Sequence, residues 1–415
     1  MAHINRTRTI KELSRSSFSE FIPGDVQSDS FAAFGGNPVQ RMHIALNEID
    51  RYAGTCGIVI LHNDPLFEYE LSRHFENSGS LQPIFPNHTS DAVYYYDPLY
   101  GLSASEVLDA LVPMRDDYFN RSDVLSLRSI LSDYLTIMYT EFQKDPALFD
   151  QHPYNLDLLY DLCSMSYPEL DEKVLAFLPQ EAASPLRIRL SAPGVQQRAY
   201  DAVRSFAFSL SNGLWSRRSF SQHTRLSLKQ TVADRGLISI YVPNSDREIL
   251  NYLCTELNSL NKSSRKYLLV TSGIFLQNCP DLHSLYIREH RTLPYCTGLL
   301  ADDLSCLIAG VQNESSVLSS FFSQTQDIFV FACASSYAAR PFCDAIGSYY
   351  RRVREKSTGT SSSPLHLLSG RNDSISLRET RQDIINPEEL VNLGSGCLIM
   401  GSSYALPYLV HRFIL

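Results

Sequence analysis

Six short, uninterrupted apolar runs constrain the fold of this chain more than any other feature. They are FAAF at 31–34, GIVILH at 57–62, GLISIYV at 236–242, KYLLVTS at 266–272, GLLA at 298–301 and DIFVFAC at 327–333. A strand that is apolar on both faces must be covered on both sides, which is the condition of a parallel sheet held between helices. The stretches between them supply those helices. NPVQRMHIALNEIDRYA and segments near 245–260, 280–289, 313–322 and 336–354 carry apolar residues at helical spacing. Strand, helix, strand is the order of a βαβ crossover, so the expected fold is α/β, a mainly parallel sheet flanked by helices. SISLRET and GCLIMGS are expected to be the closing strands, with a short helix at 386–390 between them and Gly394-Ser395-Gly396 as a turn.

Between 103 and 211 the pattern changes. SASEVLDALVPM, SDVLSLRSILSDYLTIMYTEFQ, NLDLLYDLCSM, ELDEKVLAFL and VQQRAYDAVRSFAFSL all repeat near 3.6 residues, with almost no strand-like runs. This predicts an all-helical lobe inserted into the α/β protein, with Ser103, paired with Glu106, and Ser122 as helix N-caps. The division that follows is an N-terminal arm at 1–30, rich in Ser, Arg and Thr and expected to be mobile, then a first α/β part at 31–102. The lobe at 103–211 comes next, and the rest of the α/β domain runs from 212 to 415. STGTSSSP at 357–364 is expected to be a flexible linker or exposed loop.

With 415 residues there is enough chain for one large core carrying an insertion, or for two cores. An apolar share of 44% against 20% charged is a globular balance, so the chain is expected to fold rather than remain disordered. A net charge of −9 and a pI near 5.7 exclude a surface that is basic throughout. No apolar run approaches the roughly 20 residues that span a bilayer, and the first residues lack an apolar signal core. A cytoplasmic protein is expected, reaching the inner face of a membrane only through a partner. Nine cysteines, an odd number without a CxxC pair, read as buried free thiols rather than a disulfide framework or a zinc site.

Certain short segments, taken in order, resemble a known family. The turn Gly35-Gly36 leads into a helix, and GIVILH ends in the polar triplet His62-Asn63-Asp64. YDPLYG at 96–101 stands before the helical lobe, and LLADDLS at 299–305 follows later. IFVFACASSYAARPFCDAIGSYY and PEELVNLGSGCLIMG close the series. Over about residues 31–415 this order resembles the RecA-like motor domain of type IV secretion and conjugative coupling proteins. That is the TraG/TraD class, related to the FtsK and HerA translocases. The resemblance implies a P-loop NTPase fold, and for the lobe at 103–211 a part in recruiting a DNA-processing, relaxase-containing complex.

The chemistry of that family is where the sequence departs from it. A phosphate loop of the pattern GxxxxGK[ST] needs curled backbone amides, a lysine for the β and γ phosphates and a hydroxyl for magnesium. The corresponding turn here is Gly35-Gly36-Asn37-Pro38-Val39-Gln40-Arg41, which has no lysine and no adjacent Ser or Thr. Pro38 removes one amide donor outright. The acidic pair expected at the end of a central strand is replaced by Thr271 and Ser272.

Three groups of residues keep two readings each. His62, Asn63 and Asp64 cap the following helix or form a remnant ligand site, and Asp302 and Asp303 cap a helix or bind a cation or a neighbouring subunit. Arg217, Arg218 and Arg225, with Arg351, Arg352 and Arg354 taken as a helix end, form a solvated face or a contact for DNA or an acidic partner.

The expectation from all this is a pseudo-ATPase without catalytic residues or a resident cofactor. It would bind or assemble partners in conjugative DNA transfer or type IV secretion: machinery proteins, DNA, a relaxase complex, or other copies of itself. Two alternatives stay open. One is an active ATP-dependent DNA or protein translocase whose unconventional phosphate site retains ATP or magnesium through Arg41, His62 and Asp64. The other is a stand-alone α/β protein sharing only a superfold. No GxSxG, HExxH or strand-borne GxGxxG supports other enzyme chemistry.

Overall fold

A computed structural model describes residues 9–21, 30–78, 83–84, 94–97, 99–112, 121–149, 151–191, 224–242, 247–261, 266–287, 295–360 and 371–415. The chain divides into two compact units, one formed by Met1–Ile44 with Leu300–Leu415 and the other by Ala45–Leu299. Both are α/β structures; the strands of the first pair in both senses, and Gly57–His62, Tyr267–Ser272, Leu237–Tyr241 and Pro83–Ile84 of the second pair in parallel.

In the first unit the strand order is Lys11–Leu13, Tyr408–Val410, Cys397–Met400, Asp327–Val330, Ser30–Phe34. Asp327–Val330 runs parallel to Ser30–Phe34, with Val330 opposite Phe34, and antiparallel to Cys397–Met400. Every residue of Ser30–Phe34 and Asp327–Val330 is buried, as expected of strands apolar on both faces. Phe34 meets Phe321 and Phe342 at ring-centroid distances of 5.9 and 5.3 Å, from helices Glu314–Gln324 and Ser336–Ile346. Phe329, one residue out of phase and so on the opposite face, stacks on Phe18 at 5.6 Å.

In the second unit the order is Tyr295–Ala301, Tyr267–Ser272, Gly57–His62, Leu237–Tyr241, Pro83–Ile84. Gly57–His62 is parallel to both neighbours, Val59 lying opposite Leu269 on one side and Ile238 on the other. The helical lobe belongs to this unit. It contains helices Ala104–Leu111, Arg121–Lys144, Leu156–Ser164, Tyr167–Lys173 and Gln180–Leu190, and residues 192–211 lie outside the described ones. Leu127, Ile130, Leu131, Tyr134 and Met138 form the buried stripe of the long helix, at the spacing of one helical face. Ser103 and Glu106 make the expected reciprocal capping box. Ser122 lies one residue inside Arg121–Lys144 rather than ahead of it.

Further expectations are corrected by the structure. The helix placed at 336–354 ends at Ile346, where Gly347 takes φ of +99°, a conformation that suits glycine. Beyond it the chain becomes strand Ser348–Thr360, paired antiparallel with Arg371–Asp383 over thirteen residue pairs. Arg351, Arg352 and Arg354 therefore sit in a strand, opposite Thr380, Glu379 and Leu377, and do not close a helix. The expected loop at 357–364 is strand as far as Thr360, and 361–364 lie outside the described residues.

The N-terminal arm is docked rather than mobile over the part described. Lys11–Leu13 pairs with Tyr408–Val410, and Ser16–Ser17 with Phe413–Ile414. The expected set of closing strands thus gains two more, after Cys397–Met400.

Candidate functional site

The glycine turn in the first unit is short. Strand Ser30–Phe34 ends, three residues follow (Gly35, Gly36, Asn37), and helix Pro38–Tyr52 begins. Counted from Gly35 on the GxxxxGK[ST] spacing, the second glycine is Gln40, the lysine Arg41 and the hydroxyl residue Met42, all already inside that helix.

The turn's backbone amides are engaged by the chain itself. Gly35 N–H donates to the carbonyls of Ala301 and Asp302 at 3.2 and 3.1 Å, and Gly36 N–H to Ala332 O at 2.8 Å. Asn37 N–H donates to Gln40 Oε1 at 3.0 Å, while Gln40 N–H donates to Asn37 Oδ1 at 2.8 Å. That pair is a capping box, with Pro38 at the first helical position where its missing N–H costs nothing. A phosphate arriving here would have to compete with a carbonyl or an amide oxygen for each of these donors.

Both glycines are accounted for by packing. They have φ of +68° and +59°, and a Cβ on Gly35 would meet Ala332 O at 2.8 Å and Phe331 O at 2.9 Å. The residues after strand Asp327–Val330 thus press onto the turn from outside.

Arg41, the cation of this turn, is turned inward. Its Nη1 donates to Gly35 O at 2.7 Å and its Nη2 lies 2.7 Å from Asp302 Oδ1, with the arginine side chain 10% exposed and the aspartate 86%. Asp303 is occupied locally, its Oδ1 accepting from Ser305 N–H at 2.8 Å ahead of the short helix Ser305–Ile308. Gly35, Gly36, Asn37, Gln40, Arg41 and Asp302 are therefore brought together as a self-neutralised corner.

His62, Asn63, Asp64, Thr271 and Ser272 belong to the second unit. Asp64 Oδ1 accepts from Leu66 N–H at 2.9 Å at the start of helix Pro65–Ser78, and Asn63 is exposed. His62 is buried, its Nδ1 2.8 Å from Asp64 O and its Nε2 3.5 Å from Glu68 Oε1, with Phe67 edge-on at 5.2 Å. Because a carbonyl oxygen only accepts, Nδ1 is the donor of the contact with Asp64 O. Thr271 is fully buried, and Ser272 stands at the start of helix Gly273–Asn278 without a side-chain capping bond. Among the described residues, no group of three or more His, Cys, Asp or Glu side chains is placed to hold a metal ion.

Among the basic candidates, Arg217 and Arg218 lie outside the described residues. Arg225 sits in strand Thr224–Leu226, opposite Tyr95 of the parallel strand Tyr94–Tyr96.

One buried cluster had no counterpart among the sequence candidates. Glu256, on helix Arg247–Asn261, accepts a short hydrogen bond from Tyr96 O–H and another from Lys229 N–H at 3.3 Å. Burial pushes its carboxyl up to about 7, against those two hydrogen bonds and with the nearby Asp97 charge adding to the rise. Asp97, also buried, accepts from Leu99 N–H at 2.9 Å, and Lys229 Nζ reaches Glu106 Oε1 at 2.8 Å. Lys229 thus ties the first helix of the lobe, Ala104–Leu111, to the segment that carries the Glu256 contact. An acid within an otherwise apolar helical stripe, NYLCTELNSL, was the available signal.

No family model and no curated protein matches the chain. Solved structures do share its fold. The unbound monoclinic form of the bacterial conjugative coupling protein TrwBdeltaN70 superposes with a TM-score of 0.54 at 12% identity, covering 94% of this chain and 86% of that one. TrwB in complex with the non-hydrolysable GTP analogue GDPNP gives 0.53 at 13% identity, over 98% and 90%. TrwB with ADP and Mg2+ gives 0.52 at 15% identity, over 98% and 90%. The chain therefore has the α/β fold of a conjugative coupling protein. No helix among the described residues is long and apolar enough to cross a membrane.

Proposed function

We propose that this protein is a coupling-protein-like subunit of a conjugation or type IV secretion machine that assembles partners and does not turn over nucleotide. The observation that carries this reading is the turn at 35–37: its amides donate within the chain, and Arg41 is spent on Gly35 O and Asp302. Phosphoryl transfer rests almost wholly on positioned positive charge and metal ligands. Here the cation is already neutralised, Met42 stands in place of the hydroxyl, and Thr271 and Ser272 in place of the acids.

The partner side of the proposal rests on the helical lobe. Residues 103–211 hold sixteen acidic against nine basic side chains, a net of −7 out of the chain's −9. Within the lobe Leu148 and Phe177 are 79% and 71% exposed. An acidic surface with exposed apolar anchors suits a basic protein partner better than the DNA backbone. Recruitment of a DNA-processing complex through such a protein is the role assigned to it.

The test is a calorimetric titration of the full chain with ATP and magnesium, followed by a hydrolysis assay. No heat of binding at millimolar ATP and no turnover above background are expected. Turnover that disappears in Arg41→Ala would instead establish the translocase alternative.

A further inference from the structure

Two thiols in the second unit touch. Cys254, on helix Arg247–Asn261, and Cys279, between helices Gly273–Asn278 and Pro280–Ile287, have their sulfurs 3.6 Å apart, and both are buried. The two are not equivalent. Either S–H can donate to the other sulfur, and the backbone N–H groups of Leu282 and Asp281 also point at the Cys279 sulfur, which favours its ionised form in spite of burial. Contact with the Cys279 sulfur, together with burial, drives the Cys254 thiol well above its ordinary range. Two sulfurs are thus held in contact, with the amide donors on the Cys279 side favouring its thiolate.

We propose that Cys254 and Cys279 are an oxidation site, converted by a small peroxide into a disulfide that ties helix Arg247–Asn261 to the start of helix Pro280–Ile287. The Cys279 thiol gives up its proton and the thiolate attacks hydrogen peroxide: an S–O bond forms, the O–O bond breaks, and the departing hydroxide takes that proton to leave as water. The Cys254 thiol then gives up its proton and attacks the sulfenic sulfur. An S–S bond forms, the S–O bond breaks, and the departing hydroxide takes that proton as a second water. Two electrons pass from the sulfurs to the peroxide, and a thiol reductant reverses the change.

The geometry asks little of the fold, since the sulfurs need to approach from 3.6 Å to a bond length of about 2.05 Å. Burial of both thiols favours a small oxidant over a bulky one such as oxidised glutathione. The new link closes a loop that contains strand Tyr267–Ser272, so oxidation should stabilise the fold by restricting the unfolded chain.

The full chain is treated with millimolar hydrogen peroxide, then denatured, alkylated, digested without reductant and mapped by mass. The expected product is a Cys254–Cys279 linked peptide, lighter than its two parts by two hydrogens, with the other cysteines alkylated. Dithiothreitol should return both thiols, and oxidised glutathione alone should give no link. In Cys254→Ser, Cys279 should be trapped as the sulfenic acid by dimedone, and in Cys279→Ser, Cys254 should resist peroxide. Both thiols staying alkylatable, oxidation spread equally over all nine cysteines, or a Cys254 that reacts without Cys279 would each overturn the assignment. The unmutated chain alone decides the point if either variant does not fold.

Discussion

At the scale of single residues, the most exacting environment is that of Glu256. Its carboxyl is raised to about 7 by burial, so the folded state holds its proton more tightly than the unfolded chain does. The stability contributed by the protonated form is complete below the unfolded value and is lost as pH rises through about 7. A shift from 4.5 to about 7 corresponds to roughly 3 kcal/mol. Urea unfolding of the chain should therefore show stability falling between about pH 4.5 and 7 on this account. In Glu256→Gln, which keeps the hydrogen-bond acceptor and removes the charge, that slope should flatten and stability at pH 8 should rise. An unchanged slope would assign the pH dependence to other groups.

At the scale of elements, the turn and helix at 35–52 decide what the site can be. The helix starts at Pro38 because Asn37 and Gln40 cap it reciprocally, which leaves three residues where a phosphate cradle needs a longer arc. Asn37→Ala should cost about 1 kcal/mol in denaturant unfolding, the ordinary loss for a cap. It should also leave nucleotide binding absent, because the other amides stay engaged. The lack of a lysine and a hydroxyl at the motif positions 41 and 42 was legible in the sequence, as were the buried strands and the run of helices between Ala104 and Leu190, since each is a matter of residue type at a fixed spacing. The inward turn of Arg41 onto Gly35 O and Asp302 was not, because Asp302 follows a strand, Tyr295–Ala301, and lies 261 positions further along the chain. The capping signature Asn-Pro-Val-Gln was present but hidden by reading the same residues as a phosphate loop. The end of the helix at Ile346 was signalled by Gly347, yet the arginines after it continue a helical charge pattern as well as they do a strand.

At the scale of the whole molecule, charge is unevenly spread. Nearly all of the net −9 falls within 103–211, and the cations described there are already committed to neighbouring carboxylates. Arg128 pairs with Asp109, Lys144 with Glu141, Lys173 with Glu169, Arg187 with Asp171 and Arg189 with Asp133. Each exposed pair is worth little, roughly 0–1 kcal/mol, whereas the surplus carboxylates repel one another at low ionic strength. Glu172 and Glu181 are exposed members of that surplus. Added salt should therefore stabilise the chain, the thermal midpoint rising between about 10 mM and 0.2 M sodium chloride as the Debye length falls from about 30 to below 10 Å. The same screening should weaken a basic partner held by this lobe, so stability and binding should move in opposite directions over one salt series. Glu172→Lys combined with Glu181→Lys should flatten both responses. If the midpoint falls with salt, the ion pairs outweigh the repulsion, and the lobe loses its electrostatic case for a basic partner.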